Sequence, residues 1–245
     1  MAPPPADHSG AFKPTRWSLV LRASDRHELA AAAALNELCG MYWYPLYCFA
    51  RRRGLLPQDA EDATQGFFAR ILEKEMLADA DPERGRLRTF LLTAFQRYLV
   101  NFNEHRFAEK RGGRIALISF DDAENRFGAE PTDGYSAEKT FQRQWAVAVL
   151  DRTLAALETD CEARGQSGTF TAFRPLLSVV GESTQTAYAD IAAQLGTTPG
   201  TARVAVHRMR KRYREILFSH IAETLDDASP AAIREEIQAL FAALG

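Results

Sequence analysis

The chain has 245 residues, 30 Lys and Arg against 32 Asp and Glu, a formal net charge of −2, and 46% hydrophobic residues. This length exceeds one small helical bundle and suits two domains plus linkers, and the near balance of charge excludes a globally basic protein. Cys39, Cys48 and Cys161 lie without metal-ligand spacing, no run of eighteen apolar residues marks a membrane span, and the opening MAPPPADHSG lacks the basic and apolar regions of a signal peptide; buried thiols in a reducing, cytoplasmic setting are expected.

Residues 1–14 are rich in Pro and Ala and read as a disordered tail. Thr15 can cap a short helix carrying Trp17, Val20 and Leu21, and Ser24 can cap the next, which runs through the alanines at 30–34 to about Cys39. Gly40 reads as a break. The stripe Trp43, Leu46, Tyr47 and Ala50 reads as a helix interrupted at Pro45 and ended by Arg51, Arg52, Arg53 and Gly54. Asp59 then opens a helix whose buried face is Ala60, Ala63, Phe67, Phe68, Ile71 and Leu72. Asp59, Glu61, Asp62 and Gln65 fall off that face, at the end where acids complement the helix dipole. Capping accounts for Asp59 alone. The group as a whole also suits docking of a basic partner helix.

After a loop at 79–85, the span from Arg86 to about Arg106 is the longest predicted helix. Leu87, Phe90, Leu91, Ala94, Tyr98, Leu99 and Phe102 form its apolar face. Arg84, Arg86, Arg88, Arg97, Asn101, Asn103, Arg106, Lys110 and Arg111 line its polar sides and its end. Basic and amide side chains interleaved with aromatics suit single-stranded nucleic acid, although aromatics at helical spacing are more often core. Gly112 and Gly113 break the helix, and 112–139 reads as a flexible linker, with Ile115 to Phe120 as a brief strand or an extended segment. Helices resume near Thr140 with Trp145, Val149, Leu150, Leu154, Leu157 and Cys161 at helical spacing, then a loop at 165–168, then a helix from Thr169 to Val180.

Tyr188 to Leu195 reads as a short helix, Gly196 to Thr198 as a tight turn, and Pro199 to Arg214 as a second helix with Pro in its first turn. Ile191, Leu195, Thr197, Ala202 and Ala205 are placed to pack the two together, the pattern of a helix-turn-helix. Within 201–214 stand Arg203, Arg208, Arg210, Lys211, Arg212 and Arg214, with no acid among them. Such a cluster suits phosphates and base edges. A final helix starts at Ser229 and Pro230 and carries Ile233, Ile237, Leu240, Phe241 and Leu244; packing on its own domain is favoured over binding a partner. The expected fold is all-α: a tail at 1–14, a helical domain at 15–111, the linker at 112–139, a second helical domain with the helix-turn-helix at 140–224, and the last helix within 225–245.

The quoted stretches resemble a known family. YWYPLYCFARRRG and DAEDATQGFFARILE in the first domain, and YADIAAQLGTTPGTARVAVHRMRKRYREIL in the second, resemble bacterial RNA polymerase sigma factors of the sigma-70 family, in the compact extracytoplasmic-function class. ADPERGRLRTFLLTAFQRYLVNFNEHRFAEKRGG is similar to a recurring variant found in bacteria of the planctomycete type and their relatives. The likeness covers about 25–111 and 140–217, with the motifs in the family's order. It implies that Asp59, Glu61, Asp62 and Gln65 dock on the clamp of core RNA polymerase. It implies that Arg97, Asn101, Asn103 and Arg106 capture flipped bases of the melted −10 promoter strand. It also implies that Pro199, Thr201, Arg203, His207, Arg208 and Lys211 enter the major groove or grip phosphates at the −35 element. Core polymerase and promoter DNA are the implied partners, and a separate inhibitor, an anti-sigma factor, is a partner the resemblance allows. No cofactor, metal or catalytic residue is implied. Two positions depart from the family: Ala205, where a basic or polar residue is usual, and Gly66, where a hydroxyl or carboxylate is usual.

Other readings rest on less. A helix-turn-helix regulator acting without polymerase needs a ligand or dimerisation domain, and no small-molecule site is apparent in 25–111. A structural adaptor that keeps the fold without promoter specificity finds its one support in Ala205. For an enzyme, His8, His27, His105, His207 and His220 show no HExxH or paired-ligand spacing, and no GxxxxGK[ST] or GxSxG occurs.

Overall fold

Met41 to Ala50 is apolar or aromatic at nearly every position, so no face of it suits water. In the computed structural model this stretch is buried throughout, inside the helix α1, Leu29–Arg52. The model describes residues 29–72, 86–106, 120–129, 135–177, 185–225 and 227–245, without the side chains of 29–39, 72, 103–106, 120–121 and 185–187. The helices expected at Thr15 and Ser24 lie wholly or partly outside these residues. α1 runs unbroken through Gly40 and Pro45, correcting the break and the interruption expected there. A proline in a helix interior costs about 3 kcal/mol. Burial of Met41, Leu46 and Phe49, each contributing about 1.5–3 kcal/mol, outweighs it.

Every further element is also a helix: α2 (Pro57–Leu72), α3 (Leu87–Arg106), α4 (Phe120–Gly128), α5 (Ala137–Ala163), α6 (Ser167–Leu177), α7 (Gln185–Gln194), α8 (Pro199–Ala222) and α9 (Pro230–Leu244). Among the described residues the sole β-type pairing is one antiparallel bridge between Arg86 and Leu225, and no helix is long and apolar enough to cross a membrane. The all-α expectation holds.

α2 starts at Pro57, two residues before the expected Asp59. Ala60, Ala63, Phe67, Phe68 and Ile71 are buried as predicted, and α2 packs on α1 and α3. Phe67 meets Phe95 at 5.0 Å between ring centroids and Tyr98 at 5.7 Å. The aromatics of α3 are therefore largely core. Gly66 has a local reason: a Cβ there would sit 2.5 Å from the Tyr98 hydroxyl. Tyr98 is held by the Phe67 and Phe95 rings and by Arg70, 5.2 Å over its face. Gly66→Ala should destabilise the chain by about 1–3 kcal/mol through overpacking. In a Tyr98→Phe background the same change should gain up to about 1 kcal/mol of helix propensity. Urea denaturation of the four proteins checks this, and equal Gly66→Ala effects in both backgrounds would contradict it.

The expected linker contains a helix. α4 spans 120–128 and α5 begins at Ala137, while 107–119 and 130–134 lie outside the described residues. α4 looked like linker because DDAENRFG is mostly polar, yet Ala123 is buried and Glu124 is gripped by α1. Glu124 accepts from Tyr47 Oη at 2.5 Å and from Arg51 Nη2 at 2.8 Å. Partial burial pushes its carboxyl up, and the hydrogen bonds from Arg51 and Tyr47 outweigh this and hold it below its ordinary value.

Two cores result. The first joins α1, α2 and α3 to Phe141, Trp145 and Val149 of α5, to Leu217 and Ile221 of α8, and to Ile233 and Leu240 of α9. The second joins Leu157 and Cys161 of α5 to α6, α7 and the start of α8. α5 and α8 thus run through both. α9, capped by Ser229 and begun by Pro230 as expected, packs on α5 and α8. It also brings Glu236 to α3. Glu236 is 1% exposed, with Arg88 Nε at 2.5 Å and Arg86 Nε at 3.3 Å.

Candidate nucleic-acid interface

The turn between α7 and α8 is set by three residues. Gly196, at φ +62, follows α7 and donates to Ala193 O, while Thr197 N donates to Ala192 O at 2.8 Å. This pair of bonds closes a helix with a left-handed residue, where a side chain is strained. Thr198 then caps α8 by accepting from Thr201 N at 3.2 Å, and Pro199 takes the first helical position, where no N–H is needed. Ile191, Ala192 and Ala202 are buried between the helices, with Leu195 and Ala205 partly so. Arg203 lies 5.5 Å over the Tyr188 ring and ties the two helices from outside.

At 100° per residue, Arg203, Val204, His207, Lys211 and Arg214 fall in one row on α8, opposite buried Ala202, Val206 and Met209. All five are exposed. Arg208 is exposed on the adjoining stripe, above a groove of about 310 Å³ floored by Ala205 and Met209 and rimmed by Asp160, Arg164 and Arg212. Pro199 and Thr201 are exposed at the helix start, and the Thr201 hydroxyl is engaged with that of Thr198 at 2.9 Å. The other basic residues serve the fold. Arg210 donates to Leu176 O at 2.8 Å, and Arg212 Nη2 reaches Asp160 at 3.1 Å. The structure thus divides the basic run into a solvent-facing row and internal anchors. Val204 and Arg214 join the row unexpectedly; the 100° spacing from Arg203 and Lys211 was the signal that could have found them. An exposed valine there is the type of contact a thymine methyl accepts.

Asp160 holds this arrangement. The hydrogen bond from Arg212, aided by the charges of Arg212 and Arg164, keeps its carboxyl below the ordinary value. A lowered folded value means that the contribution to stability is present above the unfolded value, about 3.9, and is lost as pH falls through the folded one. The urea midpoints of wild type and Asp160→Asn should therefore differ at pH 7 and converge below pH ~3.9. A gap that stays constant into acid would contradict this.

On α3, Arg97 and Asn101 are exposed one turn apart, beside exposed Val100. Asn103 and Arg106 lie on the helical backbone, and their side chains are outside the described residues. A small groove of about 120 Å³ opens beside them, between Phe49, Arg53, Leu55, Gln96, Leu99 and Val100. Arg53 and Gln96 are polar groups here that sequence reasoning did not assign to the site. On α2, Asp62 is exposed and Asp59 and Gln65 are half-buried. Glu61, expected off the buried face, is instead 6% exposed, and its carboxylate accepts from Gln65 Nε2 at 2.8 Å. Ala60, Ala63 and Thr64 around it are buried too, so the packed face of α2 is wider in its first two turns than expected. Asp62 is thus the exposed acid of the group, with Asp59 and Gln65 half-buried beside it. Among the described residues, no three His, Cys, Asp or Glu side chains are grouped to hold a metal ion. No family model, curated protein or solved structure matches the chain.

Proposed function

We propose that the chain is a sigma factor: it binds core RNA polymerase, directs it to promoters, and helps open the −10 region. The observation that carries the DNA-binding part is the exposed row of Arg203, His207, Lys211 and Arg214 on a capped helix that follows a tight turn. A helix so presented fits a major groove, with Arg and Lys neutralising phosphates and Val204 and Arg203 facing base edges. The polymerase-binding part rests on the sequence resemblance and on the exposure of Asp62 beside Gln65 on α2. Asp62→Ala/Gln65→Ala should weaken binding to core polymerase about tenfold, the size of ~1.4 kcal/mol from a rim charge and an amide. Circular dichroism should stay unchanged; the urea midpoint should stay unchanged for Asp62→Ala alone and fall with Gln65→Ala, which takes from the buried Glu61 carboxylate its Gln65 donor. Undiminished polymerase affinity would reject this docking face.

A second reading, a helix-turn-helix regulator acting without polymerase, is favoured by one observation. α5 and α8 run through both cores, so the core that carries α3 and the core under the start of α8 share two helices. Such a chain would bind a short duplex site tightly by itself and would not retain polymerase.

A further inference from the structure

The groove beside the exposed row of α8 has a chemistry of its own. Leu157 and Cys161 stand one turn apart on α5, and Ala205 and Met209 stand one turn apart on α8. Residues so spaced share a helix face, so two apolar pairs meet across the groove. Val204, half-exposed, forms part of the wall toward solvent. Ala205 carries only a methyl group, which leaves the space between the pairs open, at about 310 Å³.

The rim above this floor is basic. Arg164, Arg208 and Arg212 stand there against a single carboxylate, Asp160. Asp160 is already engaged, by Arg164 Nη2 at 3.0 Å and by Arg212 Nη2 at 3.1 Å. Arg208 is exposed and makes no ion pair among the described residues. Its guanidinium is therefore uncommitted, at the edge of an apolar floor.

Size and charge together select the occupant. A stable contact with a protein takes about 800 Å² from each partner, whereas this groove has the volume of a small-ligand site, whose range begins at about 300 Å³. Duplex DNA brings phosphates to the rim, but a phosphate is polar on every side and leaves Leu157, Ala205 and Met209 uncovered. A neutral apolar molecule covers the floor and leaves Arg208 unanswered, and an inorganic anion does the reverse. A molecule with an apolar body and one anionic head satisfies both.

We propose that the groove between α5 and α8 binds a small amphipathic anion, its body on Leu157, Ala205 and Met209 and its head on Arg208, and that this anion competes with DNA. The competition rests on the function proposed above, because Arg208 and Val204 belong to both contacts. The site itself does not.

Anilinonaphthalene sulfonate is a probe of this chemistry, and its fluorescence rises when its rings leave water. Titrated into the full chain, it should bind saturably. Arg208→Met keeps an apolar stem and removes the charge, and it should weaken that binding at least about fivefold, the size of ~1 kcal/mol. Ala205→Phe fills the floor and should abolish the binding, with helix content unchanged by circular dichroism. Should Ala205→Phe lose helix content, Arg208→Met decides the question, since its side chain has no ion-pair partner to lose. Absence of saturable binding, equal affinity in wild type and Arg208→Met, or binding that survives in folded Ala205→Phe would overturn the site. In gel-shift titrations, saturating dye should weaken duplex binding by wild type at least about fivefold and should leave that of Ala205→Phe unaltered. Wild-type duplex affinity that ignores the dye would overturn the competition. Wild type that binds the dye at this site but binds no duplex would instead defeat the DNA-binding part of the proposed function and leave the site in place.

Discussion

Arg208→Ala/Lys211→Ala should bind promoter duplex with a log–log salt slope shallower by about 1.8, because each lost phosphate contact removes ~0.9. Between 50 and 200 mM salt this changes the salt-sensitive part of the affinity about tenfold. Both side chains are exposed on α8 and neither makes an ion pair among the described residues, so their loss leaves no buried charge behind. Arg212→Ala is the informative contrast. Its guanidinium is bound to Asp160 and Glu215, so its removal should lower stability and leave the salt slope of the folded protein nearly intact. Fluorescence anisotropy across a salt series distinguishes the two. Equal slopes for wild type and Arg208→Ala/Lys211→Ala would remove these residues from the interface.

Glu236→Ala should lower the stability of the chain by about 3–5 kcal/mol, the effect of stranding a buried charge. Arg88 is 9% exposed, and its remaining contacts, Gln142 and the Trp145 face, carry no negative charge. Replacing both partners, Arg88→Met/Glu236→Leu, should be near neutral or stabilising, because the cost of removing two ions from water disappears together with their attraction. Urea melts of the two proteins check the contrast. A small loss in Glu236→Ala, below about 1 kcal/mol, would mean that the pair behaves as a surface salt bridge.

Much of the fold was legible because local chemistry and tertiary packing agree at the decisive positions. Gly196, Thr198 and Pro199 each have a local reason to turn, cap and start a helix, and Ser229 with Pro230 repeats the logic. Errors arose where distant contacts override local propensity. Pro45 and Gly40 read as breaks, since a single sequence does not show that the surrounding aromatics are buried on every side. Glu124 read as linker because its partners, Tyr47 and Arg51, are more than seventy residues away. Arg88 read as a solvent-facing member of a nucleic-acid surface, but its partner is 148 residues on, at Glu236, which itself sits on the apolar side of α9. For the same reason the basic run of α8 could be counted from sequence but not divided. That Arg210 and Arg212 serve Leu176 and Asp160 while Lys211 faces water depends on where α5 and α6 pack.

Co-purification of the tagged full chain with core RNA polymerase from its own host, followed by run-off transcription on genomic fragments, tests the sigma-factor proposal most directly. Stoichiometric polymerase and new, specific start sites are the predicted result. Absence of polymerase at low salt, with duplex DNA still bound by the chain alone, would contradict it and leave the helix-turn-helix regulator in its place.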